Sequence, residues 1–265
     1  MALPFVVCLT DRTLGAASAL PGEGVSRGED TLAQIESLGA GRSAAAAPVR
    51  DLQPDACETP ISLEVVTEAD PAAWDEAERF VYSVFRDAGF CQPSARSWVE
   101  ETDDFRADST LHVARAGTEI VGCVRTMLGS YTELPIGQFP HSVGVPDGLL
   151  CEFGSLAVHT GVRGLGVVNE LHRAAVQWAV RQRAVGFCML VEPWSVEFFR
   201  DAYGVPLVQT SGARDYMGSL TVAAVVTFRA LFDNLLDSRP GMYRWATETL
   251  TPDDFEAYAI PILLD

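Results

Sequence analysis

The chain has 265 residues, is 48% hydrophobic and carries a net charge of −17, with 36 acidic residues against 19 basic ones. It is long enough to bury a sizeable core in one large domain or two small ones, and it has no apolar run of bilayer-spanning length. Every basic residue is arginine, which excludes a Schiff-base lysine and a Walker P-loop, while so acidic a composition without a basic run argues against nucleic-acid binding.

The first residues, "MALPFVVCLTD", lack a basic n-region and reach Asp11 after a short apolar run, so a secretory leader is not expected and the reading is cytoplasmic. Residues 1–60 are rich in Ala, Gly, Ser and Pro and read as a flexible low-complexity extension, with one short helix at "EDTLAQIESL". The six cysteines (Cys8, Cys57, Cys91, Cys123, Cys151 and Cys188) are widely spaced without a C-x-x-C pair. They read as small buried hydrophobes, and no metal site or disulfide framework is expected.

Order begins at "ISLEVVTEAD", a strand. Asp70-Pro71 then supplies an N-cap and a first-turn proline. Trp74, Ala77, Val81, Val84, Phe85 and Ala88 follow at helical spacing until Gly89. "STLHVARAGTEIVGCVRTML" reads as a hairpin turning at Ala116-Gly117-Thr118. The Pro/Gly-rich stretch from Gly129 to Gly148 is a long loop, of a length that is often functional. Leu149 to Val158 form the next strand, which holds Glu152, and a helix runs from about Gly166 to Arg183. "VGFCMLVE" is a strand, "WSVEFFRDAYG" a short helix ending at Gly204, and "VPLVQTSG" another strand. "TVAAVVTFRALFDNLLD" reads as helical, and Thr251-Pro252-Asp253-Asp254 as a capping box before a last short helix. The order predicts an α+β domain over residues 61–265 around one mixed sheet, with a helical C-terminal addition from about residue 222.

Arg163-Gly164-Leu165-Gly166-Val167-Val168 places small residues and an arginine where a strand feeds a helix. Backbone N–H groups there lack intrahelical partners and the helix dipole is positive, so the turn suits a phosphate or pyrophosphate, with Arg163 adding a charge-assisted contact. A tight connection with no ligand explains the turn equally well. A dinucleotide fingerprint would need a third glycine where Asn169 stands, although Glu192 does end the next strand as a ribose-binding acid would.

The same six residues resemble the R/Q-x-x-G-x-G/A motif of the GNAT N-acyltransferase superfamily, departing at Val168. "HVARAGTEIVGCVR" is similar to the second and third strands of that fold, and Leu156-Ala157-Val158 to its coenzyme-contacting fourth strand. "VEPWSVEFFRDAYGVPLV" is similar to its block of strand, short helix and F-Y-x-x-x-G-F. The resemblance covers roughly Ile61 to Gln209 and implies a GNAT-like mixed central sheet flanked by helices. Within the superfamily the chain resembles the N-acyl amino acid synthase and acyl-homoserine-lactone synthase branch. The shared features are the acidic segment with Glu101, Asp103, Asp104 and Asp108, the Gly122-Cys123-Val124-Arg125 strand, and Glu152-Phe153-Gly154-Ser155-Leu156-Ala157-Val158. Ser155 stands where the branch has Arg and Gly154 where it has Ser. The inference is therefore a plain amine acceptor rather than S-adenosylmethionine.

Amide formation needs a deprotonated amine, and a carboxylate desolvated in a strand can take that proton directly or through water. The resemblance makes Glu152 that base; without it, a strand acid paired with an arginine such as Arg125 would be structural. The superfamily's tyrosine falls on Phe199, which cannot donate, so Tyr203 is the candidate acid, with packing as its other role. Asp104 and Arg125 are candidate substrate contacts, and Leu156 to Val158 with Arg163 to Val168 the candidate cofactor-binding residues. The four histidines show no ligand spacing, and no nucleophile elbow is present.

The expected activity is transfer of an acyl group from a phosphopantetheine thioester to the amine of a small molecule or amino acid. Coenzyme A thioester is a co-substrate in this reading, and no tightly bound cofactor is expected. An acyl-carrier protein is a second donor, opposed by the charge of −17. Two rival readings are a GNAT-fold enzyme drawing on aminoacyl-tRNA and a non-catalytic acyl-CoA-binding protein.

Overall fold

Asp70 and Pro71 start the first helix as their chemistry requires. The Asp70 carboxylate accepts from the Ala73 N–H at 3.1 Å, and Pro71 sits where no N–H is needed. The computed structural model describes residues 60–99, 104–162 and 166–261. The extension read over residues 1–60, with its short helix, falls outside the described residues but for residue 60.

Strand β1 (Ile61–Val66) precedes helix α1 (Pro71–Asp87), which buries Trp74, Ala77, Val81 and Phe85. Strands β2 (Ser109–Ala116) and β3 (Glu119–Gly129) form the expected hairpin, and the long loop leads to β4 (Leu150–Val158), buried along its whole length. Helix α2 (Val167–Arg181) crosses over to β5 (Gly186–Val191). Helix α3 (Pro193–Phe198) runs into a π-helical turn, Phe199–Tyr203, that ends at Gly204. Short strands β6 (Val208–Gln209) and β7 (Arg214–Tyr216) precede β8 (Ser219–Thr227). Helices α4 (Phe228–Ser238), α5 (Pro240–Thr247) and α6 (Pro252–Ala257) complete the chain, α6 opening with the expected capping box.

The sheet runs β1-β2-β3-β4-β5-β8-β6, with β7 paired to β8. Every neighbouring pair is antiparallel except β4 and β5, which are parallel and joined through α2. One face is covered by α1 and by the β3–β4 loop, whose Tyr131, Leu134, Ile136 and Phe139 are buried. The other carries α2, α4 and α5 over the largest core cluster. Gly122 allows α2 its close approach to β3, since a Cβ there would lie 2.8 Å from Val167 Cγ1 and 2.9 Å from Leu171 Cδ1. No helix among the described residues is long and apolar enough to cross a membrane.

Two expectations are corrected. "TVAAVVTFRALFDNLLD" is strand up to Thr227 and helix from Phe228, so the helical addition starts there and not at residue 222. The β-branched Thr221, Val222, Val225 and Val226 fit a pleated surface, and Thr227 caps the helix by accepting from Ala230 N–H at 3.1 Å. The β7–β8 hairpin turns on Met217 and Gly218, both at positive φ, a two-residue turn whose usual Asn-Gly signature is missing. "VPLVQTSG" yields only Val208–Gln209 as strand. Pro206 removes one ladder donor, and past Gln209 the Ser211 hydroxyl accepts the Ala223 N–H at 2.9 Å in place of a backbone carbonyl.

Candidate active site

Glu152 lies in register between Met127 of β3 and Cys188 of β5, on the face covered by the β3–β4 loop. It is 1% exposed, and its Oε2 accepts the Ile136 N–H at 2.8 Å. Burial pushes its carboxyl up to about 8, the Ile136 bond acting in the opposite direction. Burial, and after it the charge of Glu152, raises the neighbouring Cys151 and Cys188 thiols.

Two irregularities follow Glu152 along β4. Pairing with β5 ends at Phe153–Met189, although β4 runs on to Val158 and β5 to Val191. From Gly154 onward the β5-facing side of β4 has no strand partner among the described residues, which leaves a sheet edge inside the sheet. On its other side β4 uses one residue more than β3 between Gly154 and Ala157, a bulge that includes Ser155 at φ +49. The buried Ser155 hydroxyl has no hydrogen-bond partner among the described residues. Of the candidate coenzyme contacts, Leu156, Ala157 and Val158 occupy this unpaired length.

At the end of that path stands the N-terminus of α2. Gly166 is its N-cap at φ +83, a left-handed conformation that explains the glycine, and no side chain among the described residues caps the helix. Val167 and Val168 open the helix, and Arg163, Gly164 and Leu165 lie outside the described residues.

Arg125 projects on the Glu152 face but pairs with Glu78 of α1 in a buried ion pair. Its guanidinium also lies 3.5 Å from Ser109 Oγ and over the Trp74 ring, 5.9 Å from the centroid. Arg125 Nε and Glu78 Oε2 find no partner among the described residues. Asp104 is exposed, and Glu101 and Asp103 lie outside the described residues.

Tyr203 lies across the sheet from Glu152. It lines an apolar cavity with Phe153, Phe187, Met189, His172 and Phe199. Burial holds the His172 imidazole down at about 4, so it is neutral near pH 7. The fork residues Phe153 and Met189 form part of the cavity floor, so the cavity begins where β4 and β5 part.

Sequence reasoning missed Glu78 and Ile136. Glu78 had a signal, a carboxylate on the apolar stripe of α1 between Trp74 and Val81. Ile136 had none, because a backbone N–H leaves no mark in the residue type.

Against this geometry the comparisons are consistent. The family described as N-acyl amino acid synthase FeeM matches residues 76–228. No curated protein sequence matches the chain. Among solved structures, FeeM, an N-acyl amino acid synthase from uncultured soil microbes, is similar at a TM-score of 0.53 and 13% identity, over 66% of this chain and 95% of that one. BjaI, a coenzyme A-dependent acyl-homoserine lactone synthase solved with S-adenosylmethionine and isopentyl-CoA, gives 0.54 and 16%, over 78% and 93%. LasI, an acyl-homoserine-lactone synthase, gives 0.52 and 14%, over 64% and 90%. At such identities the structural likeness establishes the GNAT-like fold, and the match over more than half of the sequence establishes the family. The chain belongs to the N-acyl amino acid synthase FeeM family and is an N-acyltransferase.

Proposed function

We propose that the chain transfers the acyl group of a coenzyme A thioester to the amine of an amino acid or other small molecule by direct attack, with Glu152 as general base. The observation that carries this reading is a neutralised, buried carboxyl at the fork of two parallel strands, beside an unpaired strand edge that leads to an uncapped helix N-terminus. A pantetheine arm carries amides that can pair with that edge at Leu156, Ala157 and Val158, much as an added strand would. The pyrophosphate then meets the N–H groups of Gly166, Val167 and Val168, and Arg163, Gly164 and Leu165 precede them in the same motif.

In the chemical step the amine nitrogen attacks the thioester carbonyl. A C–N bond forms, the C–S bond breaks, and coenzyme A leaves as a thiolate. Ionised Glu152 takes the proton released by the amine, and that proton returns to the thiolate or to solvent. A base whose pKa lies near the working pH combines a useful ionised fraction with real driving force for proton transfer. Arg125 is committed to Glu78 in a buried ion pair and so shapes the Glu152 face from behind rather than contacting the acceptor, while exposed Asp104 is the charge left to meet it. Tyr203 is assigned to the acyl chain rather than to proton donation, since its neighbours are the apolar cavity residues. An acidic carrier protein would meet repulsion from a chain of charge −17, which favours the free coenzyme.

The test is incubation of the full chain with acyl-coenzyme A of several lengths and a panel of amino acids and amines. Mass spectrometry follows the amide and a thiol reagent follows coenzyme A. Equal release of amide and thiol supports the reading; coenzyme A binding with no amide from any acceptor overturns it.

A further inference from the structure

The cavity below the strand fork has two kinds of wall. Phe153, Phe187 and Met189 come from the sheet, within residues 76–228 that the family match covers. Leu231 and Leu235 of α4, with Met242, Trp245 and Ala246 of α5, form the facing wall and all lie beyond residue 228. This second wall is tied to the first by Arg173 of α2. Its guanidinium stacks over the Trp245 ring, 5.0 Å from the centroid. It also pairs with Glu248 at 2.8 Å just past α5, and with Glu170 on its own helix at 2.6 Å. The lining of this space is almost wholly apolar, as the sites of apolar ligand groups are.

We infer that helices α4 and α5 set the length of acyl chain the enzyme accepts, with Met242 and Trp245 as the surface against which the chain end rests. The inference depends on the donor reading above, in which an acyl thioester lies at the fork. An acyl chain leaving a carbonyl at the fork has the cavity as its apolar continuation. Each methylene buried there raises selectivity by about fourfold. A methylene beyond the wall gains nothing and must displace Trp245 from its stack with Arg173. Length selection would then reside in the C-terminal segment, outside the region matched to the family.

The experiment measures kcat/KM of the full chain with butanoyl-, octanoyl-, dodecanoyl- and hexadecanoyl-coenzyme A, alongside Met242→Trp and Trp245→Ala. Both positions are only partly buried, and a melting transition verifies that each variant is folded. The expected result is a fall of at least about tenfold in the long-to-short ratio for Met242→Trp, and a rise of similar size for Trp245→Ala. Ratios within about twofold of the unaltered chain in both folded variants overturn the inference. If one variant loses its melting transition, Leu235→Trp replaces it under the same criterion. A full chain that transfers no acyl group from any thioester overturns the donor reading and this inference with it. That failure shows in the unaltered protein and so is distinguishable from a failure of the length wall alone.

Discussion

The Ile136 N–H donates to Glu152 Oε2 at 2.8 Å, joining the β3–β4 loop to the middle of a fully buried strand. It is the one hydrogen bond found for that carboxyl among the described residues, too little to offset its desolvation, and burial pushes the group up to about 8, above the usual carboxylate range. Burial beneath this loop, against the opposing effect of the bond, makes a strand acid into a base candidate. The loop folds back over the sheet, its own Tyr131, Leu134, Ile136 and Phe139 buried, and brings the Ile136 amide to the carboxyl.

The ionised form of Glu152 is the active one, so kcat/KM should rise with pH and level off above about 8. Glu152→Gln should lower kcat/KM by roughly 10²–10⁴-fold and remove that ascending limb. An acceptor amine has a limb of its own, and only the part that disappears in Glu152→Gln belongs to the carboxyl. A limb unchanged in the variant would sink the assignment.

The same shift links stability to pH. The folded-state pKa of Glu152 lies above its unfolded value, so the associated stability is fully present below about 4.5 and is lost as pH rises through about 8. At about 1.4 kcal/mol per pKa unit, the loss is on the order of 5 kcal/mol. Glu152→Gln should therefore be close to the unaltered chain at pH 4.5 and progressively more stable than it up to pH 8–9. Urea unfolding across that window checks the sign, and a gap that closes with rising pH would contradict it.

Glu78 and Arg125 are nearly inaccessible to solvent and paired, so neither tolerates loss of the other. Glu78→Gln or Arg125→Met alone should cost roughly 3–5 kcal/mol, while the double variant Glu78→Met/Arg125→Met should cost less than either single change. Unfolding of the three variants forms the cycle. Additive losses would mean that the two groups do not depend on each other.

Gly122→Ala should destabilise by roughly 1–3 kcal/mol, because its Cβ meets Val167 and Leu171 inside normal contact distance. It should also weaken coenzyme A binding, since Val167 opens the helix turn assigned to the pyrophosphate. Val167→Ala in the same chain removes the nearer obstacle and should recover part of both losses. Calorimetric titration with coenzyme A, together with the melting transition, reads the two effects separately.

The elements that local chemistry decides were legible in the residues. Asp70-Pro71, the Gly117 turn, the Thr251–Asp254 box and the apolar stripes of α1 and α2 needed no knowledge of the rest of the chain. The helix start at Gly166 and the strand that buries Glu152 were legible too, because a glycine at a helix start and a lone acid in an apolar run are unusual in themselves. Packing decided what residue type leaves open. The run Thr221–Thr227 is as apolar as a helix face, and it becomes a strand because β5 offers it a full ladder. Arg125 is on the correct face to meet Glu152, yet the approach of α1 gives it Glu78 instead. The fork between β4 and β5, the amide of Ile136 and the wall of Met242 and Trp245 all arise where distant segments meet. Their effects come from backbone groups and from shape, which no single residue encodes and only the folded chain assembles.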